Sequence, residues 1–304
     1  MRAAAVLAAS VTCLFAAKAD AFIDADYLLN AVHIEGTEFN TGSGQPAAGE
    51  NFCGGGFRAI SGGAFWDGPA VAPADADEFF TSSLAPFGKR HHYGAGGNVS
   101  GGSVGHTRYV QCLRRGKMRG TRTGVKDIPV ANLEHGGGHA RCPQGTRLFG
   151  GGAFWHDGGG EPDFMLANDA WLSSSYPDED GRLWYADGEN RTGEDSVLRV
   201  VVRCLPTARL SNVKFRRTNH SLEDGDVGGG ARACPAGTAA MTGGAYRHRP
   251  GEPPDPNDGA DFWLSSLFHN DPTTFPSDAY YADGYNFSGD DEPWVLTVVA
   301  YCLT

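Results

Sequence analysis

Three short β-branched runs end in cysteine and stand between turn-forming residues: TRYVQC up to Cys112, VLRVVVRC from Val197 to Cys204, and VLTVVAYC from Val295 to Cys302. Runs of this length and composition predict strands. Around Trp171 and Tyr185 the segments AWLSS and LWYADG alternate bulky and small residues between clusters of Gly, Pro, Asp and Asn, the pattern of half-buried strands. Beyond the N-terminal apolar run no window keeps a 3.6-residue apolar period, so almost no helix is expected.

These elements recur three times in a fixed order. Cys53, Cys142 and Cys234 each stand nine residues before a GlyGlyAla step that opens at Gly62, Gly151 and Gly243. A second block follows as Phe80-Thr-Ser-Ser, Trp171-Leu-Ser-Ser and Trp263-Leu-Ser-Ser, and a third as HYGAGGN, WYADGEN and YYADGYN from His92, Trp184 and Tyr280. The closing strands carry Cys112, Cys204 and Cys302. Spacing from cysteine to glycine is constant, whereas spacing between the later blocks varies, which puts the insertions in surface loops. Copy one is the most divergent, with Gly54 where Pro143 and Pro235 stand and no acid at the place of Asp187 and Asp283.

The expected fold is therefore all-β: three internal antiparallel repeats of four or five strands in a pseudo-threefold, prism-like arrangement. Small sheets bury too little surface alone, which favours packing around a shared axis. Three tandem disulfide-bonded β-sandwiches are the alternative. An extra strand before each cysteine is offered by AVHIEG from Ala31, VKDIPVANL from Val125 and VKFRRT from Val213. The boundaries read as a signal peptide over 1–19, repeats over 20–113, 125–205 and 213–304, and linkers over 114–124 and 206–212. With 44 glycines the chain has about twice the usual ~7 %. The excess falls in the GlyGlyAla steps and loops, where a bulge or a close backbone approach would exclude a Cβ.

Met1-Arg2, an apolar run to Ala17 and AlaLysAla ending at Ala19 have the form of a secretory signal. Its removal takes away Cys13 and leaves six cysteines, an even number in an exported chain, which points to disulfides. Repetition selects Cys53–Cys112, Cys142–Cys204 and Cys234–Cys302. The mature chain is expected to be extracellular, with no membrane span. With 25 Lys and Arg against 36 Asp and Glu the chain carries −11, which argues against nucleic acid as partner.

Cys142-Pro-Gln-Gly and Cys234-Pro-Ala-Gly, each followed by a Gly-rich strand, resemble the vitelline membrane outer layer family, whose members are three-sheet β-prisms. The resemblance covers only these two stretches and implies a threefold sheet arrangement. The spacing to the second cysteine is longer here, the family's closing strand is absent, and no site residue carries over.

Candidate ligand-binding residues are the repeated aromatics Trp66, Trp155, Trp171, Trp263, Tyr185 and Tyr281, together with Asp187 and Asp283. Sugars stack their apolar faces on aromatic rings while carboxylates and amides take the hydroxyls, so repeated sites of this kind would form a multivalent lectin. Large aromatics also make small β cores. Asn98, Asn190, Asn219 and Asn286 stand in N-glycan acceptor sequons, although an Asn held in phase with a repeat is equally suited to capping a turn.

Metal ions and cofactors are not expected. The loop DPNDGAD from Asp255 lacks the ligand spacing of an EF-type site, and Cys142 beside His135 and His139 is assigned to a disulfide rather than zinc. Gly101-Gly-Ser-Val-Gly matches GxSxG only inside a Gly-rich loop, without the strand-to-helix turn a nucleophile needs. The basic run RRGKMRGTRTG from Arg114 reads as a solvated linker.

The expected function is a secreted, non-enzymatic binding or adhesion protein whose partner is a glycan or a cell-surface or matrix polymer. Alternatives are a structural coat component that self-associates and a secreted hydrolase using acids such as Asp261 or Asp291.

Overall fold

The computed structural model describes residue 23 and residues 33–67, 79–210, 212–254, 261–270 and 278–304. The signal expected over 1–19 and most of the loop from Asp255 lie outside the described residues. Each copy contributes six strands rather than the four or five expected. Copy one supplies β1 (His33–Thr41), β2 (Pro46–Phe52), β3 (Phe57–Asp67), β4 (Phe79–Phe87), β5 (His91–Asn98) and β6 (Val104–Arg114). Copy two supplies β7 (Arg122–Val130), β8 (Glu134–Arg141), β9 (Thr146–His156), β10 (Ala170–Pro177), β11 (Leu183–Asn190) and β12 (Ser196–Pro206). Copy three supplies β13 (Val213–Leu222), β14 (Val227–Ala233), β15 (Ala239–His248), β16 (Phe262–Asn270), β17 (Ala279–Asn286) and β18 (Trp294–Leu303). Among the described residues the only helical pieces are short 3-10 turns at Arg115–Met118, Phe164–Asn168 and Thr207–Arg209.

No copy owns a sheet. The strands form three six-stranded sheets: the first runs β1-β6-β3-β16-β17-β14, the second β2-β5-β4-β9-β12-β7 and the third β13-β18-β15-β10-β11-β8. Each copy thus splits into two three-stranded halves that sit in different sheets and face one another across a wedge of core. The halves join cyclically around a pseudo-threefold axis, copy one to three, two to one, and three to two. This is the prism, and the shared sheets rule out three independent sandwiches.

The GlyGlyAla step is where the copies join. Its alanine is the bridging residue at all three seams: Ala64 with Leu267, Ala153 with Leu84 and Ala245 with Ser175. The second glycine lies against the neighbouring copy's backbone. A Cβ on Gly63 would sit 2.7 Å from the Leu267 carbonyl oxygen, and Cβ atoms on Gly152 and Gly244 would come closer still to those of Leu84 and Ser175. The first glycine instead makes room inside its own wedge for a ring, His92 over Gly62, Trp184 over Gly151 and Tyr280 over Gly243.

The second cysteine of each pair lies on the last strand of its copy, as expected, whereas the first, expected on the first strand, comes just after the second strand. Cys53, Cys142 and Cys234 follow β2, β8 and β14, and each reaches across to the last strand of its copy. The bridges are Cys53–Cys112, Cys142–Cys204 and Cys234–Cys302, with Cα separations of 5.6, 5.7 and 5.6 Å. Because the two ends of each bridge belong to different sheets, the three disulfides staple the sheets pairwise at the three corners of the prism.

At the opposite end of each corner a buried asparagine acts as the second clamp. Asn98, Asn190 and Asn286 are fully buried. Their amides donate to Thr41, Val130 and Leu222 carbonyls on the facing sheet, at 2.9, 3.0 and 3.0 Å. Their Oδ1 atoms accept the backbone N–H of Ser100, Thr192 and Ser288. These three are turn caps, and a glycan on their amides is incompatible with the hydrogen bonds they make. The sequon recurs because the Ser100 and Thr192 hydroxyls also close onto Oδ1, both at 2.7 Å. Asn219, the fourth, is exposed on β13.

Bulges at Ser82, Ser173 and Ser265 interrupt β4, β10 and β16 at equivalent points. There the strands meet across the axis: Thr81 donates to the Ser265 carbonyl at 2.8 Å and Ser173 to that of Phe262 at 2.7 Å. Phe80, Trp171 and Trp263 close that end, their ring centroids 5.6 to 5.8 Å apart. The 114–124 segment is not merely a solvated linker, since Met118 is buried in the main core.

Candidate functional site

Most of the expected ligand-binding tryptophans are interior. Trp155 is fully buried, and Trp66 and Trp171 are only 7 % and 6 % exposed. Trp66 stacks on Phe79 and lies 4.3 Å from the His106 ring. Trp171 belongs to the axial plug, covered in part by the Arg191 guanidinium at 5.1 Å. These three rings offer no face on which a sugar could stack, which corrects the expectation drawn from their repetition. Trp263 is half-buried, beside Phe287 at 4.7 Å and Tyr285 at 5.3 Å.

The tyrosine and aspartate half of the expected set lies on the outward faces of the sheets. Neighbouring residues of a strand point to opposite faces. Phe65, Phe154 and Tyr246, each one residue before Trp66, Trp155 and Arg247, therefore turn outward. On the first sheet this builds a row of rings across four strands. Tyr109 lies 6.3 Å from Phe65, Phe65 5.1 Å from Phe268, and Phe268 4.7 Å from Tyr281. Phe65, Phe268 and Tyr281 are all partly exposed. The Tyr109 hydroxyl donates to the His269 carbonyl at 3.1 Å, and His269 is itself held by Asp278 at 2.6 Å.

The third sheet repeats the row with Tyr246, Tyr176 and Tyr185, but there Tyr246 and Tyr176 are buried and only Tyr185 is partly exposed. Tyr176 stands 4.4 Å from Tyr246 and stacks on Tyr185 at 5.4 Å with planes 15° apart, while His139 flanks Tyr185 at 5.1 Å. On the second sheet the corresponding face is closed: the turn Phe164–Asn168 lays Ala167 over Tyr93, Ala85, Phe154 and Val201. The first sheet thus carries the most open row.

A carboxyl group accompanies each of these two rows, and Asp187 is itself buried. Asp187 lies 3.9 Å from His135 on the third sheet. On the first sheet, burial pushes the Asp283 carboxyl up to about 6, against the opposing pull of hydrogen bonds from Ser266 and from the Tyr281 hydroxyl. Burial also pushes the Tyr176 and Tyr281 phenols above their usual range, so both remain neutral donors at physiological pH.

The Asp283 shift has a testable consequence. Because its folded value lies above the unfolded 3.8, the folded chain holds the proton more tightly, and stability present below about pH 4 is lost as pH rises through about 6. Asp283→Asn, which mimics the protonated form, is expected to exceed the parent in stability at pH 7 by up to about 3 kcal/mol. That gap should vanish in melting curves recorded below about pH 4.

Among the described residues no group of three or more His, Cys, Asp or Glu side chains converges to hold a metal ion. His135 and His139 point to different partners, Asp187 and Tyr185. Nor is any described helix long and apolar enough to cross a membrane.

Sequence reasoning missed Tyr176, Tyr246, Phe65 and Phe268. The signal was present in the GGAF, GGAF and GGAY steps, where the ring directly after the alanine recurs in all three copies, whereas the tryptophan after it does not. No family model and no curated protein matches the chain.

Proposed function

We propose that this protein is a secreted recognition module that holds an extended neutral polymer, a glycan chain in particular, along the aromatic row of its first sheet. The observation that carries the reading is the row Tyr109–Phe65–Phe268–Tyr281. Three of its rings are partly exposed on the outside of a prism whose core is complete without them. Flat rings on a rigid sheet suit the apolar faces of successive sugar units at little entropic cost. The Tyr281 hydroxyl and the Asp283 carboxyl at the end of the row suit sugar hydroxyls. Three disulfides in the chain support an extracellular setting.

Affinity electrophoresis through neutral polysaccharides tests the reading. Retardation should be insensitive to salt, and Phe268→Ala with Tyr281→Ala should weaken it at least tenfold, about 1.4 kcal/mol. Unchanged migration of the parent in every polysaccharide would refute it.

Burial of Trp66 and Trp155 favours one second reading, a structural coat component in which the rings serve as scaffold. It requires self-association, and a strictly monomeric protein in sedimentation at high concentration counts against it.

A further inference from the structure

The chain's net negative charge conceals two poles. In an antiparallel prism successive loops alternate between ends, so topology assigns every loop to one pole or the other. The end capped by Phe80, Trp171 and Trp263 gathers exposed acids: Glu223, Asp224 and Asp226 in one loop, Asp290, Asp291 and Glu292 in another. Asp157, Glu161 and Asp169 add to it from the 157–169 loop.

The disulfide end of copy one is the reverse. Its segments 53–56, 88–90 and 114–121 contain no Asp or Glu and carry Lys89, Arg90, Arg114, Arg115, Lys117 and Arg119. The turn after Cys53 draws them into one patch. Arg90 donates to the Cys53 carbonyl at 2.8 Å, and the Arg115 backbone N–H donates to that of Gly56, also at 2.8 Å. Lys89, Arg114, Arg115 and Arg119 are exposed, and none forms an ion pair with a described acid.

The two poles are independent. Strands of eight to eleven residues separate them by about 30 Å, several times the ~8 Å Debye length at physiological ionic strength. A partner at the basic pole therefore responds to the local cations and not to the total of −11. Arginines dominate the patch, and a guanidinium pairs in bidentate fashion with sulfate or carboxylate.

From this we infer that the copy-one disulfide pole is a docking surface for an anionic polysaccharide bearing sulfate or carboxylate groups. The patch lies at an end of the prism, apart from the aromatic rows on its faces, and the inference stands independently of them. A flexible polyanion can follow three adjoining segments, whereas the acids of a second copy are spread over separate loops around an aromatic plug.

Heparin and polygalacturonate serve as the sulfate and carboxylate probes in titrations of the full chain at 50 to 300 mM salt, with duplex DNA as the comparison polyanion. Affinity for at least one polysaccharide should fall steeply with salt. Arg114→Glu with Arg115→Glu and Arg119→Glu should lower it at least tenfold and flatten the salt slope, while melting as the parent does. Lys126→Glu, exposed on β7, should leave it unchanged. Absence of salt-dependent binding, equal affinity for DNA, or an unaffected triple variant each overturns the inference. So does sedimentation showing that the patch instead joins copies of this chain, with the triple variant dissociating an assembly.

Discussion

Gly152→Ala is expected to cost about 3 kcal/mol or more, at the upper end of what overpacking produces, and in the cell to give mostly insoluble chain. The new methyl would fall 2.7 Å from the Ala85 Cα and closer still to the Leu84 carbonyl oxygen. Both are backbone atoms of the neighbouring copy, so no rotamer change relieves the clash. The seam would have to part, breaking the Ala153–Leu84 pairing that joins copies one and two. Gly101→Ala is the matched control, since nothing lies within 4 Å of a Cβ at that position. It should change stability by less than about 0.5 kcal/mol. Urea titrations followed by tryptophan emission would measure both, and equal midpoints for the two variants would contradict the seam assignment.

Removing one corner staple is expected to cost a similar amount. Cys142 and Cys204 are 62 residues apart, and releasing a loop of that length is worth about 4 kcal/mol in the chain-entropy model. The double variant Cys142→Ser with Cys204→Ser should shift the urea midpoint accordingly. The other two bridges close separations of 59 and 68 residues, and loop entropy varies only with the logarithm of length. The three deletions should therefore agree within a few tenths of a kcal/mol. A corner that costs far less would show that its buried asparagine clamp already holds the two sheets together.

Much of the fold was legible before any coordinates. The strand character of the closing runs follows from a period-2 apolar pattern, which is local, and the pairing of all six cysteines follows from the threefold repeat, which places one pair in each copy. The glycine pair was recognisable as a site of close approach, although what approaches, namely the neighbouring copy's backbone, was not. The candidate site was half legible. Tyr185, Tyr281, Asp187 and Asp283 fall on the outer faces, with Asp187 buried there, whereas Trp66 and Trp155 fall inside. One residue of strand separates Phe65 from Trp66, and that single step turns a ring from the surface to the core.

A total of −11 does not say where the charges lie: the strands gather exposed acids at the plugged end and a basic cluster at the disulfide end of copy one, while Asp178, Glu179 and Asp180 stay at the disulfide end of copy two. The sequons left two readings open for a related reason: Asn-X-Ser/Thr is a local match, and whether the amide meets solvent or a carbonyl on a facing strand depends on chain hundreds of atoms away.

By itself the sequence determined that this chain is a disulfide-bonded β module written three times, since alternation shows within a few residues and the repeat and its cysteine spacing can be read along the chain without knowing which strands pair. Only the tertiary structure decided that each module is divided between two sheets, which rings face outward and where the charges gather. Those outcomes depend on pairing between strands far apart in the chain, and no local pattern encodes which partner wins.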